Sequence, residues 1–442
     1  MIPTSRRFDQ STIASMLDVD PLIQDYRAFF SLFDWSVVDR WLASRSACYG
    51  SHGHPLTAYL KAFLLRMKEG LIYAKQLRDF LLKHPLLIIE LGFHLQLDPN
   101  ADYGFDVDAT LPTRYWLGEK LRQLDRGLLS DLLAATVTAL KEEIPGLGEV
   151  VAFDVKHIYA WVKENNWRTY VKDRYDPTGI PVGDPDCKLG VKRSTNQEQP
   201  DGSTKEKKEL IWGYGTGVAA ATTPDYGDVV LAEDTQPFNA GDVTYFRPLY
   251  QQAVSALEQF PLHITADAAY DAWYVYDAVA RRGGIAAVPL NGHGHSQARY
   301  DRDAVPICAK GLRMIPTFQF HHSHGYRALR FCCPLLVPQA TGETCDHPQF
   351  LKAVGCRKDP NWEPGGRMRV TLDRRHPLYH AVYTQRTSCE RINSQAKELG
   401  IERPRVRNMR SVANLNTLIY LVINVRALQK AQLTNRGLLQ IR

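Results

Sequence analysis

The chain has 442 residues, 44% of them hydrophobic and 23% charged, with a formal net charge of +6 and an isoelectric point near 8.8. That length holds one large core or two to three smaller ones, and the charge is compatible with a nucleic-acid partner without requiring one. No stretch of about 18 uninterrupted apolar residues occurs, which argues against a membrane span, and the start, MIPTSRRFDQ, has no apolar run behind its arginines, so no secretory signal is expected and the chain reads as soluble and cytoplasmic.

Residues 1–147 read as mostly helical. In PLTAYLKAFLLRMKEG the apolar Leu60, Phe63, Leu64 and Met67 recur at helical spacing, with Lys61, Arg66 and Lys68 among them. Such a pattern fits either a helical bundle with a solvated basic surface or a surface that meets DNA. Amphipathic helices continue through 113–144 and stop at Pro145-Gly146, the first domain boundary.

From 148 the period changes. Val150 to Phe153 is a short apolar β-rich run ending in Asp154, and HIYAWV could begin another strand. Residues 172–208 are polar, rich in Gly and Pro and basic, and read as a long loop or flap that is either solvated or able to bring Lys188, Lys192, Arg193, Lys205, Lys207 and Lys208 to phosphate. LIWGYGTGVAAATT and DVVLAEDT read as strands and GDVTYFRPLYQQAVSALEQF as a helix; Leu262, Ile264 and Ala266 then lead to Asp267. A further helix and the strand IAAVPL bring this segment to 290. Early strands can pair antiparallel and later ones alternate with helices, so the class is α+β or mixed, with a mixed sheet flanked by helices. GYGTG and NGHGHS lack the Gly-Lys-Ser/Thr ending of a triphosphate loop, and His293 and His295 read as loop residues.

Residues 291–378 read as a small β-rich insertion, with short apolar runs such as MIPTFQF between Pro, Gly and Cys. Five of the eight cysteines fall here: Cys308, Cys332, Cys333, Cys345 and Cys356. They fit either a structural zinc site, helped by a nearby histidine, or ordinary buried thiols, because paired C-x2-C units are missing. Trp362 is an aromatic available for stacking or for the core.

Residues 379–442 complete the chain. Read as one helix, YTQRTSCERINSQAK puts Tyr383, Arg386, Glu390 and Lys397 at roughly 0°, −60°, −20° and −40°, on one stripe about 21 Å long. By itself that spacing fits a solvated face. Asp154 and Asp267 change the balance, since an acid at the end of a buried strand needs compensation. Three converging carboxylates would repel by roughly 4 kcal/mol per pair at about 4 Å and an effective dielectric near 20, and divalent cations would turn that cost into a binding site. Next, ERPRVRNMR gathers Arg403, Arg405, Arg407 and Arg410, and 415–428 reads as a buried helix.

The order Asp154, Asp267, Glu390, with Tyr-x2-Arg-x3-Glu-x6-Lys around the glutamate, resembles the DDE transposases of bacterial insertion sequences, in the subgroup named for that signature. ADAAYD (266–271) and DPDCKLGVK (184–192) resemble further segments of those proteins, and the likeness covers about 150–430. It implies a ribonuclease-H-like catalytic core in 148–290 and 379–442, a DNA-end-binding helical domain in 1–147, and an insertion at 291–378 that helps hold the DNA end. It implies catalysis and metal binding by Asp154, Asp267 and Glu390 with Mg2+, for which Mn2+ can substitute. DNA contacts would come from Tyr383, Arg386 and Lys397, with Arg403, Arg405 and Arg407 as further phosphate groups. The partner would be double-stranded DNA, element ends and target, held by a homodimer at least. The rivals are another ribonuclease-H-like nuclease, such as a resolvase or hybrid cutter, and a non-catalytic transposase-derived DNA-binding protein.

Overall fold

The computed structural model describes residues 10–44, 53–198, 204–291 and 299–437. Its centre is a mixed six-stranded sheet of β1 (Val150–Tyr159), β2 (Lys188–Glu198), β3 (Thr204–Thr223), β4 (Gly227–Pro237), β5 (His263–Ala266) and β6 (Ala286–Ala287), in the order β2-β3-β1-β5-β6. The first half of β3 pairs with β2 and the second half with β4. On the other side β3 pairs antiparallel with β1, whereas β1, β5 and β6 run parallel.

Alternation along β1 separates the two faces. Val151 and Phe153 join a core with Leu249 and Ala253 of the helix Phe246–Leu257. Ala152 faces the other way, into a core with Ile392 and Leu418. The glycines of GYGTG serve the first face. A Cβ on Gly217 would stand 2.6 Å from the Tyr245 ring, and one on Gly215 would stand 2.5 Å from its hydroxyl, which donates to the Gly215 carbonyl at 3.2 Å. They permit close helix packing rather than phosphate binding.

The segment 415–428 lies within a helix running Met409–Asn435. By length and composition this helix could cross a membrane, but 89% of its apolar window is buried in the protein. Its asparagines are anchors inside the apolar run. Asn414 donates to the Leu121 and Leu124 carbonyls, while Asn424 bonds both Thr136 and the Val230 backbone. Leu60, Phe63 and Leu64 of the helix Leu56–Lys68 belong to the same apolar cluster as Leu418 and Leu421, so the helices before β1 share a core with this one.

Between β6 and the last helices, Ile315–His321, Arg327–Cys332 and Arg357–Lys358 form a three-stranded sheet. Cys308, Cys333 and Cys356 lie with Met314 and Phe331 in its small core, and Cys345 packs beside them. Trp362 sits against Phe331 with the Arg367 guanidinium over its ring. The described cysteines are free thiols, and among the described residues no three His, Cys, Asp or Glu side chains gather to hold a metal ion.

Three local expectations change. HIYAWV does not open a new strand, because β1 continues to Tyr159. The flap expected over 172–208 is a loop only as far as Cys187; β2 and β3 then form a ribbon with Lys192 opposite Glu209. Cross-strand backbone pairing holds that ribbon, so apolar alternation did not announce it. The stripe is also not one helix: Pro377–Thr384 ends at Gln385, and Thr387–Glu398 begins after Arg386. The side chains of Arg193, Lys205 and Lys207, and the residues His293 and His295, lie outside the described residues.

Candidate active site

Strand register brings the first two acids together. Phe153 of β1 lies opposite Ala266 of β5 in a parallel pair, so the next residues, Asp154 and Asp267, fall at the same level on neighbouring strands, about 4.8 Å apart along the hydrogen-bonding direction. Asp154 follows Phe153 onto the opposite face. Asp267 ends β5 and caps the 3-10 turn Ala268–Tyr270 by accepting from the Ala269 N–H at 2.9 Å.

Helix Thr387–Glu398 crosses this face. Ser388, Cys389, Ile392 and Ala396 are its buried side. Arg391 fixes its rotation through two bonds to Asp228, of 2.7 and 2.6 Å, at the start of β4. In that position Asn393 donates to Asp154 Oδ2 at 3.0 Å. Glu390, one turn earlier, is exposed and accepts from Arg386 at 2.6 Å. Arg386 therefore stands between the acids: burial opposes its charge, yet Glu390, Tyr383 and Asp154 hold its pKa above the ordinary value. Tyr383 stacks on Tyr379 at 5.7 Å, with the Arg386 guanidinium 5.9 Å from its ring.

The remaining predicted DNA contacts lie further along. Lys397 reaches Glu402 at 3.5 Å and, with Lys192, faces Lys156 of β1 closely enough to add to the burial that lowers the Lys156 pKa. Arg403 lies over Tyr159, and Arg405 and Arg407 over Trp161. Arg410 turns away to the Leu124 carbonyl.

Electrostatics mark the pair of aspartates. Burial, and then the charge of Asp267, raise the Asp154 carboxyl to about 7. Asp242, on the 3-10 turn Asp242–Tyr245, is a neighbour that sequence reading missed; burial and Asp267 raise it to about 6. Tyr270 is the tyrosine of the ADAAYD segment. It is fully buried with no partner for its hydroxyl, and after burial its raised pKa reflects Asp154 and Asp242. The sequence signal for Asp242 is thin, an acid at the head of a helix. Crowded carboxylates that the nearby Arg386 offsets only in part suit a hard divalent cation. Asp154 and Asp267 supply such oxygen donors, whereas Glu390 is turned to Arg386, and among the described residues no three acids gather closely enough to hold a metal ion.

Residues 175–425 match the family described as the transposase DDE domain. The match spans more than half of the chain, includes Asp267 and Glu390, and begins after Asp154. No curated protein and no solved structure matches.

Proposed function

The chain belongs to the transposase DDE domain family, and we propose that it cuts and joins the ends of its own insertion sequence, a bacterial element of the Tyr-x2-Arg-x3-Glu-x6-Lys subgroup. The observation that carries this reading is the alignment of Asp154 with Asp267 on adjacent parallel strands, beneath a helix that reaches Asp154 through Asn393. Asp154 and Asp267 would hold magnesium or manganese, with Glu390 as third ligand. Bound there, the cations would lower the pKa of an attacking water or 3′ hydroxyl and neutralise the leaving oxygen. Arg386 now occupies Glu390; accepting a DNA phosphate in its fork would release that carboxylate toward the two aspartates. Tyr383 supports the Arg386 guanidinium, and Lys397, Arg403, Arg405 and Arg407 grip the backbone of the strand as point charges and forks. Joining two ends requires at least two copies of the chain, working on duplex DNA in the cytoplasm.

Asp154→Asn, Asp267→Asn and Glu390→Gln each keep size and hydrogen bonding while removing a charged ligand. Each should bind element-end DNA as the parent does, while magnesium-dependent strand cleavage falls by orders of magnitude. Glu398→Gln, at the far end of the same helix, should cleave normally. Substantial cleavage by the Glu390→Gln protein would falsify the assignment.

A further inference from the structure

Where β1 leaves the sheet, a recess of about 450 Å3 opens between Tyr159, Trp161 and Lys163 on one side and Arg403, Arg405 and Arg407 on the other. The segment carrying the arginines is pinned at both ends. The Glu402 carbonyl accepts from the Tyr159 N–H at 2.9 Å, and Asn408 caps the helix Met409–Asn435 through Ser411. Pro404 between them is buried and Val406 half-buried, so the three arginines project together to the exposed side.

Several other guanidiniums in the protein are held by carboxylates. Arg369 is paired with Asp271, Arg391 with Asp228 and Arg330 with Asp359. Among the described residues Arg403, Arg405 and Arg407 form no ion pair. They rest on aromatic faces instead: Arg403 at 4.3 Å from Tyr159, Arg405 and Arg407 at 5.9 and 4.8 Å from Trp161. Three uncompensated cations call for an anion. The indole and phenol faces between them call for a flat π system, which an inorganic anion or a bare phosphate backbone does not offer.

We propose that this recess takes an unpaired nucleotide, its base against Trp161 and its phosphate among Arg403, Arg405 and Arg407. The recess is too small for a duplex and of a size for one small polar ligand. It lies along β1 from the aspartates, since the five residues from Asp154 to Tyr159 span about 17 Å, with Lys156 and Lys397 on the way. A single strand leaving the acidic site therefore meets a cationic path ending in an aromatic floor. The inference rests on the DNA reading above and adds to it a preference for a strand without its complement.

Binding of the full chain to labelled DNA, in EDTA so that no cleavage occurs, tests it. The probes are a blunt duplex, the same duplex with a short single-stranded tail, and that duplex with an abasic tail of equal length. The base-bearing tail should improve affinity about tenfold, and the abasic tail should not. Trp161→Ala should erase the gain and leave blunt-duplex affinity unchanged, while Trp161→Phe should keep most of it. A tail that gives no gain in the parent protein, an abasic tail that gains equally, or an Ala variant that weakens blunt and tailed duplexes alike would each overturn the pocket while leaving the transposase reading in place. Failure to bind any of the three would overturn both.

Discussion

Asp154 shows how a single residue carries a cost that its site needs. Its ordinary pKa of 3.8 is raised to about 7 by burial and by Asp267, with Asp242 adding to the shift. A carboxyl whose folded pKa lies above its unfolded value stabilises the fold below the unfolded pKa and loses that contribution as pH rises through the folded one. Without divalent metal, the parent protein should therefore lose stability between pH about 4 and about 7 relative to Asp154→Asn. The full shift corresponds to about 4 kcal/mol; because the side chain keeps some exposure, a difference of about 2 kcal/mol above pH 7 is expected. Urea midpoints of the two proteins across that range give the measurement, and parallel profiles would mean that Asp154 is solvated. Asp154 and Asp267 were legible in the sequence because each terminates an apolar run, where a charge has no local excuse. Asp242 was not, because Gly-Asp before a helix reads as a cap, and only the packing of two short turns sets it beside Asp267.

At the scale of elements, the helix Thr387–Glu398 depends on a contact far from it in sequence. Arg391 grips Asp228, whose side chain is only 6% exposed. Arg391→Ala leaves that carboxylate buried and unpaired, so a loss of about 1–3 kcal/mol is expected, with faster amide exchange across the helix. Combining it with Asp228→Asn should cost less than the two changes added together; strict additivity would show that the pair does no coupling. A second junction joins helices Trp273–Ala280 and Pro364–Thr371. Asp271 accepts from Arg369 at 2.7 Å twice, and from Tyr276 and the Asn291 N–H at 2.9 Å. Asp271→Asn should lower the urea midpoint by the equivalent of about 2–4 kcal/mol, whereas a change under about 0.5 kcal/mol would place that carboxylate at the surface. Helices and apolar strands were readable from their periods. The break at Gln385–Arg386 was not, since both residues keep helical dihedrals and only the hydrogen-bond pattern tightens. Nor was the β2–β3 ribbon, whose exposed Val191 and Leu210 are too few to set a period of two.

Over the whole molecule, the net charge of +6 matters less than where unpaired cations lie. Many arginines are spent on internal pairs, as in Arg126–Glu233 and Arg27–Glu90, and cannot release counterions when DNA arrives. Among the described cations without an ion pair, Lys156 lies along β1 from Asp154 and Arg403, Arg405 and Arg407 lie around its end, while Lys397 is shared with Glu402. Each phosphate neutralised by such a group releases condensed counterion, and the slope of log affinity against log salt changes by about 0.9 per contact on duplex DNA. Arg405→Ala with Arg407→Ala should therefore weaken binding to all duplex sequences alike and flatten the slope by about two. The comparison variant is Arg122→Ala. Arg122 is exposed but already paired with Glu119 one turn away, so removing it takes one positive charge, half that of the double variant, without vacating a phosphate contact. If long-range charge alone governed binding, the Arg122 change would lower affinity about as much, per charge removed, as the arginine pair does. If the line along β1 is the path of DNA, the Arg122 slope stays at the parent value while the Arg405 and Arg407 slope falls. An unchanged slope in the double variant would mean that these guanidiniums never meet phosphate, and that the strand leaves the aspartates by another route.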